Sequence, residues 1–204
     1  MANANTPRGL QPYAYAWGAP FGGAYTTYYV PAGNATALYF GDPVALVSNS
    51  SDGNGIPVAE IAAAGAGNFL VGAFMGITNN AGETPITLLQ NQTPYLAASQ
   101  AAYIAVVDDP NVLFEIQESG AMTSGASGGG ANLLSGTGST VTNFSGWQLN
   151  SASLAHGTET FGTQSTWTQL RILQLLQEID NAVGTNAKWL TKINTHSWTN
   201  PVSV

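Results

Sequence analysis

Turn signals recur every 8–15 residues along most of this chain and separate short apolar runs. "ALYFGDPVALVSN" is interrupted by Gly-Asp-Pro, "SDGNG" follows it, and "NNAGE" closes the next run, "NFLVGAFMGITN". Gly and Asn tolerate positive φ and Pro fixes φ, so each cluster favours a chain reversal. Short strands at this spacing are typical of sandwiches and barrels rather than of βαβ units. The sequence therefore predicts an all-β domain of jelly-roll, β-barrel or sandwich type.

Residues 1–30 differ from the rest of the chain. They carry seven aromatic rings, several Pro and Gly residues, no acidic residue and Arg8 as the only cation. No strand or helix period persists there, and a disordered tail would be poor in aromatics. We expect an extended N-terminal arm that precedes a β domain of residues 31–204 and lays its rings on a neighbouring chain. The expected partner-binding anchors are Tyr13, Tyr15, Trp17, Phe21 and Tyr25.

The stretch 118–140, "ESGAMTSGASGGGANLLSGTGST", is rich in Gly and Ser. Such a composition favours a long flexible loop within the domain. A loop of this length in a compact domain is often a contact element.

The stretch 166–183 is ambiguous. Its Leu, Ile and Val residues recur at helical spacing, and Gly184 is placed for a helix C-cap. Leu170 and Ile172 also alternate with Arg171 and Leu173, as in a strand. Local propensity favours the helix, and both alternatives stay open at this point.

"DDPNVLFEIQE", residues 108–118, holds four of the chain's 11 acidic residues. In a strand, Val112, Phe114 and Ile116 share one face and Glu115 lies on the other. The preceding Asp-Asp-Pro-Asn then forms a turn whose carboxylates cap local backbone donors. General acid–base catalysis needs two converging carboxylates, and an EF-hand spacing is absent. We therefore interpret the cluster as a structural hairpin element rather than as a catalytic or calcium site.

Other chemical motifs are weak. The chain has no Cys, and His156 and His196 stand apart from any HExxH pattern. Lys188, Lys192 and His196 would share a face on either a helix or a strand, and a solvated face is the plainer interpretation. We expect no catalytic residue, no cofactor and no metal ligand, and hence no enzyme.

The charge balance excludes some partners. The chain has a net charge of −7 and only 4 Lys and Arg residues, too few to neutralise nucleic-acid phosphates or to bind an anionic membrane. Charged residues make up 7% of the chain, against roughly 25% in ordinary soluble domains. A surface with so few charges suits a protein that packs against others. The first ten residues show no apolar core of a secretory signal, so we expect no secretory signal there.

Four segments in order, "RGLQPY", "YYVPAGNATALYFGDPV", "YIAVVDDPNVLFEIQES" and "DNAVGTNAKWLTKIN", resemble a family of tailed-phage head proteins that decorate or cement the capsid exterior. The resemblance implies an all-β jelly roll or barrel whose arm and loops reach the major capsid protein. It also implies a strand, a turn around Asp180 and Asn181, and a strand from Lys188 to Asn194. Relatives often carry Pro where this chain has Ile179, so a helix there stays open.

Three functional hypotheses follow. The first is a structural virion protein on the capsid exterior that binds the major capsid protein and neighbouring copies of itself as a dimer or trimer, without nucleic acid or membrane. The second is a carbohydrate-binding or host-adhesion module using Trp147 and Trp167. The third is a hydrolase using an acidic pair that includes Glu115 or Glu118.

Overall fold

Short strands and turns account for nearly all the regular structure in the computed structural model, which describes residues 3–78, 95–156 and 167–199. No helix within these ranges is long and apolar enough to cross a membrane. Short 3-10 turns lie at Ser124–Ala126 and Ser151–Ser153. The strands are β1 Gln11–Tyr15, β2 Thr26–Val30, β3 Pro43–Ser51, β4 Pro57–Ile61, β5 Gly72–Thr78, β6 Ala102–Val107, β7 Val112–Gln117, β8 Gly130–Ala131, β9 Leu133–Leu134, β10 Gln148–Leu149, β11 Leu170–Leu175 and β12 Lys188–Ile193. The predicted all-β class is confirmed.

Five strands close into a barrel in the order β2-β4-β3-β5-β6. The β2–β4 pair is parallel and the other pairs are antiparallel. Tyr28, Phe74, Ile104 and Val106 are among the side chains that fill its interior. β5 is buried along most of its length, because alternate residues face the barrel interior and a second core outside it.

The second core lies between the barrel wall and a five-stranded antiparallel sheet in the order β1-β7-β12-β11-β8. Phe114, Trp189 and Ile172 come from the sheet, and Ala73 and Met75 come from β5. The sheet therefore presents its opposite face away from this core, since side chains alternate along each strand.

The N-terminal segment corrects one prediction. Residues 1–30 were expected to form an extended arm without regular structure, but they contain β1, paired with β7, and β2, a strand of the closed barrel. Pro12 does not prevent this, because β1 is an edge strand with a bulge between Pro12 and Ala14, where Pro is tolerated. Residues 11–30 thus belong to the same fold as the described residues that follow them, and the boundary at residue 30 separates no independent arm.

The Gly/Ser-rich stretch 118–140 was expected to be a long flexible loop, and it is irregular over most of its length but packs into the fold. It contains a 3-10 turn and the strands β8 and β9, and it buries Met122, Ala126 and Leu133. Its glycines allow close backbone approach: a Cβ on Gly136 would lie 2.0 Å from the carbonyl oxygen of Gly146. Tight packing explains the composition here.

The ambiguous stretch 166–183 is described from residue 167 onward, and it forms β11 followed by a turn. The helical alternative is wrong there. Leu170 and Ile172 are fully buried while Arg171 is exposed, as alternation requires. The side chain of Asn181 closes the turn by bonding to Leu176 and Lys188 backbone groups at 2.7–2.9 Å. The strand–turn–strand order implied by the family resemblance is therefore what the structure shows.

Candidate interaction surface

The acidic stretch is occupied by structural contacts. Asp108 accepts hydrogen bonds from the hydroxyls of Thr26 at 2.8 Å and Tyr28 at 2.7 Å. Burial, followed by the bond to Asp108, raises the pKa of the Tyr28 phenol. Asp109 accepts from the Asn111 N–H at 2.8 Å. The turn and the following strand agree with the prediction, but a hairpin is wrong, because β6 pairs in the barrel and β7 in the sheet.

The two glutamates of the hydrolase hypothesis differ in surroundings. Glu115 lies on the outer face of the sheet and pairs with Lys188 at 3.1 Å, which also pairs with Glu178 at 3.1 Å. Glu118 is fully buried, and one carboxylate oxygen accepts from the Met122 N–H at 2.6 Å. Burial raises the pKa of Glu118. The Glu115 carboxylate is thus engaged in an ion pair, and the Glu118 carboxylate accepts a hydrogen bond from a backbone N–H.

Lys188 and Lys192 share the outer face of the sheet, as the strand alternative predicted, but His196 lies beyond the end of β12 and does not extend the stripe. His196 is buried and its Nδ1 accepts from the Trp198 N–H at 3.2 Å, and burial lowers its pKa to about 4. His156 is exposed beside Gly129. Lys188 forms ion pairs with Glu115 and Glu178, whereas Lys192, farther along the same face, forms none among the described residues. Within the three described ranges, no three His, Cys, Asp or Glu side chains are grouped so that they could hold a metal ion.

Four rings of the N-terminal segment contact one another in succession, and we name them the aromatic ladder: Trp17, Tyr15, Phe21 and Tyr25. Trp17 stacks on Tyr15 with ring centroids 4.6 Å apart and planes 6° from parallel. Tyr15 meets Phe21 at 5.8 Å, and Phe21 meets Tyr25 edge-on at 5.9 Å. The ladder thus leads from solvent toward the second core.

A tight turn after β1 positions the exposed end of the ladder. The Gly18 N–H donates to the Tyr15 carbonyl and the Tyr15 N–H donates to the Ala19 carbonyl, both at 2.8 Å. Gly18 has φ of 93°, which favours glycine. The Ala16 N–H donates to the Asn111 carbonyl at 2.8 Å and fixes the turn to the start of β7. Trp17 is therefore presented on a well-anchored turn.

The five predicted anchors divide into two groups. Tyr15, Phe21 and Tyr25 are partly buried and pack against the second core. Tyr13 and Trp17 are 47% and 64% exposed. The structure therefore places Tyr13 and Trp17 where a partner can reach them and gives the other three a supporting position.

The two tryptophans that were expected to stack on sugars, Trp147 and Trp167, differ in burial. Trp147 is 5% exposed and belongs to the second core, so that part of the prediction is wrong. Trp167 is half-buried, and its carbonyl accepts from the Gly67 N–H at 3.0 Å. Trp198 is 54% exposed, and sequence reasoning had not singled it out.

Asp42 is a further residue that the sequence reasoning missed. It is buried at the start of β3, one carboxylate oxygen accepts from the Tyr39 N–H at 2.8 Å, and the other has no hydrogen-bond partner among the described residues. Burial raises its pKa to about 6. A cleft of about 570 Å³ adjoins it, with Tyr39 and Trp147 in the lining. The "GDP" pattern signals the turn, but nothing in it signals the burial.

No protein-family model, curated protein or solved structure matches this chain.

Proposed function

We propose that the chain is a structural virion protein that decorates and cements the outer surface of a tailed-phage capsid by binding the major capsid protein. The observation that carries the proposal is the aromatic ladder, whose outer ring, Trp17, stands 64% exposed on a turn held by backbone hydrogen bonds. Within this proposal the protein is made in the host cytoplasm, acts on the capsid exterior and has no enzymatic activity or cofactor.

The energetics of association support an adhesive role for this end of the sheet. Trp and Tyr are enriched among the residues that dominate binding energy, and specific interfaces bury about 1,600 Å². Because the Trp17 turn is already ordered, docking it costs less conformational entropy than ordering a disordered arm. A surface with 7% charged residues also has few charges to desolvate on contact.

The resemblance to phage head proteins supports the same proposal. The segments that carry it include the barrel strands β2 and β3, the crossing from β6 to β7, and β12. Of these elements, the crossing from β6 to β7 joins the barrel to the sheet. We also propose that neighbouring copies associate as a dimer or trimer, since capsid symmetry axes repeat identical surfaces.

Cosedimentation with capsids tests the proposal. Capsids assembled from the major capsid protein of the same phage without this chain are mixed with purified wild type, Trp17→Ala or Tyr13→Ala. Wild type should saturate the particles, and Trp17→Ala should bind at least about tenfold more weakly, or about 1.4 kcal/mol. Ile179→Ala is the control, because Ile179 is a fully exposed apolar residue outside the aromatic ladder, and this variant should bind like wild type. Absence of wild-type binding would overturn the proposal, and unchanged binding of Trp17→Ala would overturn the role of the ladder.

A carbohydrate-binding or host-adhesion module is the second candidate. The nearly parallel stack of Trp17 on Tyr15 offers a flat exposed ring of the kind on which a sugar can stack. A glycan array probed with wild type and Trp17→Ala distinguishes this candidate. Retention of a defined glycan by wild type, lost in Trp17→Ala, would favour it over capsid binding.

A further inference from the structure

Two cations face each other on the outer face of the sheet. Arg171 of β11 and Lys192 of β12 are directly opposite in the antiparallel register, and Lys192 is in turn opposite Leu113 of β7. Leu170, Ile172 and Ile193 point into the second core, so the two cations point the other way. Like charges directly opposite each other destabilise a strand pair. The arrangement therefore carries an electrostatic cost within the folded chain.

The other cations of the chain have partners, whereas this pair has none of opposite charge. Of 4 Lys and Arg residues, Arg8 lies 4.7 Å above the Phe144 ring and Lys188 pairs with two glutamates. Arg171 donates one hydrogen bond, to the Gly128 carbonyl at 3.1 Å. Among the residues that the structure describes, neither Arg171 nor Lys192 forms an ion pair, and the Lys192 ammonium donates no hydrogen bond. Two of the chain's 4 Lys and Arg residues thus lie opposite each other without a counter-ion among the described residues.

The pair lines a cleft of about 450 Å³ together with neutral groups: Pro110, Asn111, Ile193, Asn194 and Thr199. The Asn111 side chain is exposed. Asp108 and Asp109 precede Pro110 in the chain, but they are not among the residues that line the cleft, and their carboxylates accept hydrogen bonds from Thr26, Tyr28 and Asn111. His196 is buried, and its lowered pKa leaves it uncharged at neutral pH. The charged residues that line the cleft are therefore both cations, in a chain of net charge −7.

Asn111 connects the cleft to the aromatic ladder. Asn111 lines the cleft, and its carbonyl accepts a hydrogen bond from the Ala16 N–H of the turn that presents Trp17. Asn111 thus lies between the turn that presents Trp17 and the cleft, so a partner that covers Trp17 can also reach the cation pair. Charged groups at the edge of an apolar contact fix its register and its orientation.

We propose that the Arg171–Lys192 cleft binds a side-chain carboxylate from an acidic segment of the polypeptide that covers the aromatic ladder. The inference rests on the proposed function for the identity of that polypeptide. A carboxylate matches the cleft because Arg and Lys donate charge-assisted hydrogen bonds to it and Arg can do so in bidentate fashion. Binding also offsets the repulsion between the two cations, so the free energy of binding should be more favourable than that of a single ion pair.

A nuclear magnetic resonance titration of the isolated full-length chain tests the cleft. The probe is a capped tri-glutamate peptide, and the matched probe is capped tri-glutamine, both at fixed ionic strength. The glutamate peptide should shift the backbone amide signals of Asn111, Asn194 and Thr199 in a saturable way, and the glutamine peptide should not. Equal shifts with both peptides, or no saturation, would overturn the proposal, as would saturable binding of inorganic phosphate without binding of the glutamate peptide.

Repeating the titration with charge-removing variants tests whether the amide signal shifts depend on Arg171 and Lys192. Arg171→Gln and Lys192→Gln should each weaken glutamate-peptide binding about tenfold, which is about 1.4 kcal/mol, because each removes one of the two charges that hold the carboxylate. Arg8→Gln removes the same type of charge elsewhere and should leave binding unchanged. Lys192→Gln should unfold at the same or higher urea concentration than wild type, because it relieves the repulsion. A clear loss of stability in Lys192→Gln with unchanged peptide affinity would mean that Lys192 is structural and that the proposal is wrong.

Capsid cosedimentation separates this inference from the proposed function. If wild type binds capsids and the Arg171→Gln, Lys192→Gln double variant binds them more weakly, the partner's carboxylate occupies the cleft. If the double variant binds capsids like wild type, this inference fails while the proposed function stands. If wild type does not bind capsids at all, the proposed function fails, and the peptide titration alone decides whether the cleft takes a carboxylate.

Discussion

The barrel and the sheet differ in whether their strands leave unpaired edges. The barrel of β2 to β6 is closed, so its strands leave no unpaired edge, and its interior is filled by side chains such as Phe74 and Ile104. The sheet is open, with β1 and β8 at its edges, and it buries one face. Its other face carries the Arg171–Lys192 pair, and the aromatic ladder begins at its β1 edge. Closure favours stability, whereas an open sheet leaves surface for a partner.

The N-terminal segment belongs to both regions. β1 forms an edge of the sheet, and after the ladder turn the chain enters the barrel as β2. The surface that we propose for partner binding is therefore covalently continuous with both cores. The predictions below ask how far the two regions can be separated, from the largest expected effect to the smallest.

Deleting residues 2–24 should produce the largest effect. The deletion removes β1 and the fully buried Leu10 from the second core but spares β2, which starts at Thr26. Truncating one buried Leu costs about 2–5 kcal/mol, and the loss of β1 adds to this, so the sheet should lose more than about 5 kcal/mol. Hydrogen exchange should show β7 amides losing protection while Ile104 and Val106 of the barrel keep theirs.

Deletion of residues 2–5 alone is the control for that experiment, because it leaves Leu10 and β1 in place. It should preserve protection in both regions. If the longer deletion removes protection from barrel and sheet equally, the two regions form one cooperative unit and the comparison drawn above is wrong.

Phe114→Ala and Glu115→Gln test the two faces of β7. Phe114 is 1% exposed in the second core, and its truncation should cost about 3–5 kcal/mol. Glu115 faces outward in a partly exposed ion pair with Lys188, and its replacement should cost at most about 1 kcal/mol. Urea unfolding followed by circular dichroism measures both. The reverse ranking would contradict the assignment of the inner and outer faces.

Part of this fold could be predicted from the sequence because it depends on local chemistry. The turn at Asp108–Asn111 and the alternation of Val112, Phe114 and Ile116 predict a turn and a strand, and both are present. Which strand pairs with which is not a local property. The sequence therefore suggested a hairpin where the chain passes from the barrel to the sheet.

The remaining errors have the same origin. The stretch 166–183 carries both a helical and a strand spacing, local propensity favours the helix, and pairing of β11 with β12 and β8 decides for the strand. Pro12 suggested irregular structure, but an edge strand tolerates it. The rings of the ladder are visible in the sequence, whereas the exposure of Trp17 depends on a turn anchored to Asn111, which is distant in the chain. Tertiary contacts thus determine what local patterns leave open.

Two of the buried titratable groups, Asp42 and His196, should change the stability of the chain in opposite directions as pH rises. Asp42, at the start of β3, has a folded pKa of about 6 against 3.8 for its ordinary value. The folded state therefore binds more protons than the unfolded state between these values, and the contribution of Asp42 to stability falls as pH rises from about 4 to 6. His196, with a pKa lowered from 6.5 to about 4, contributes stability that rises over the overlapping range of pH 4 to 6.5.

Comparing wild type with Asp42→Asn isolates one of these contributions. Asn keeps a side-chain oxygen for the Tyr39 N–H and does not titrate. The stability of wild type relative to Asp42→Asn should decrease as pH rises from 4 to 7, by on the order of 2 kcal/mol. Urea unfolding at several pH values measures the difference. A difference that is constant across this range would show that Asp42 titrates alike in the folded and unfolded states.

Trp17→Ala should have only a small effect on the free energy of unfolding. Trp17 is 64% exposed and contacts the fold through its stack on Tyr15, an interaction that contributes about 0.5–1.5 kcal/mol between aromatic rings. Tyr15→Ala should cost clearly more, because Tyr15 packs against the second core and also contacts Phe21. Urea unfolding followed by circular dichroism avoids the loss of the Trp17 fluorescence signal. If Trp17→Ala destabilises the chain as much as Tyr15→Ala does, then Trp17 serves the sheet's own core, and weaker capsid binding by that variant would reflect loss of folding rather than loss of a contact.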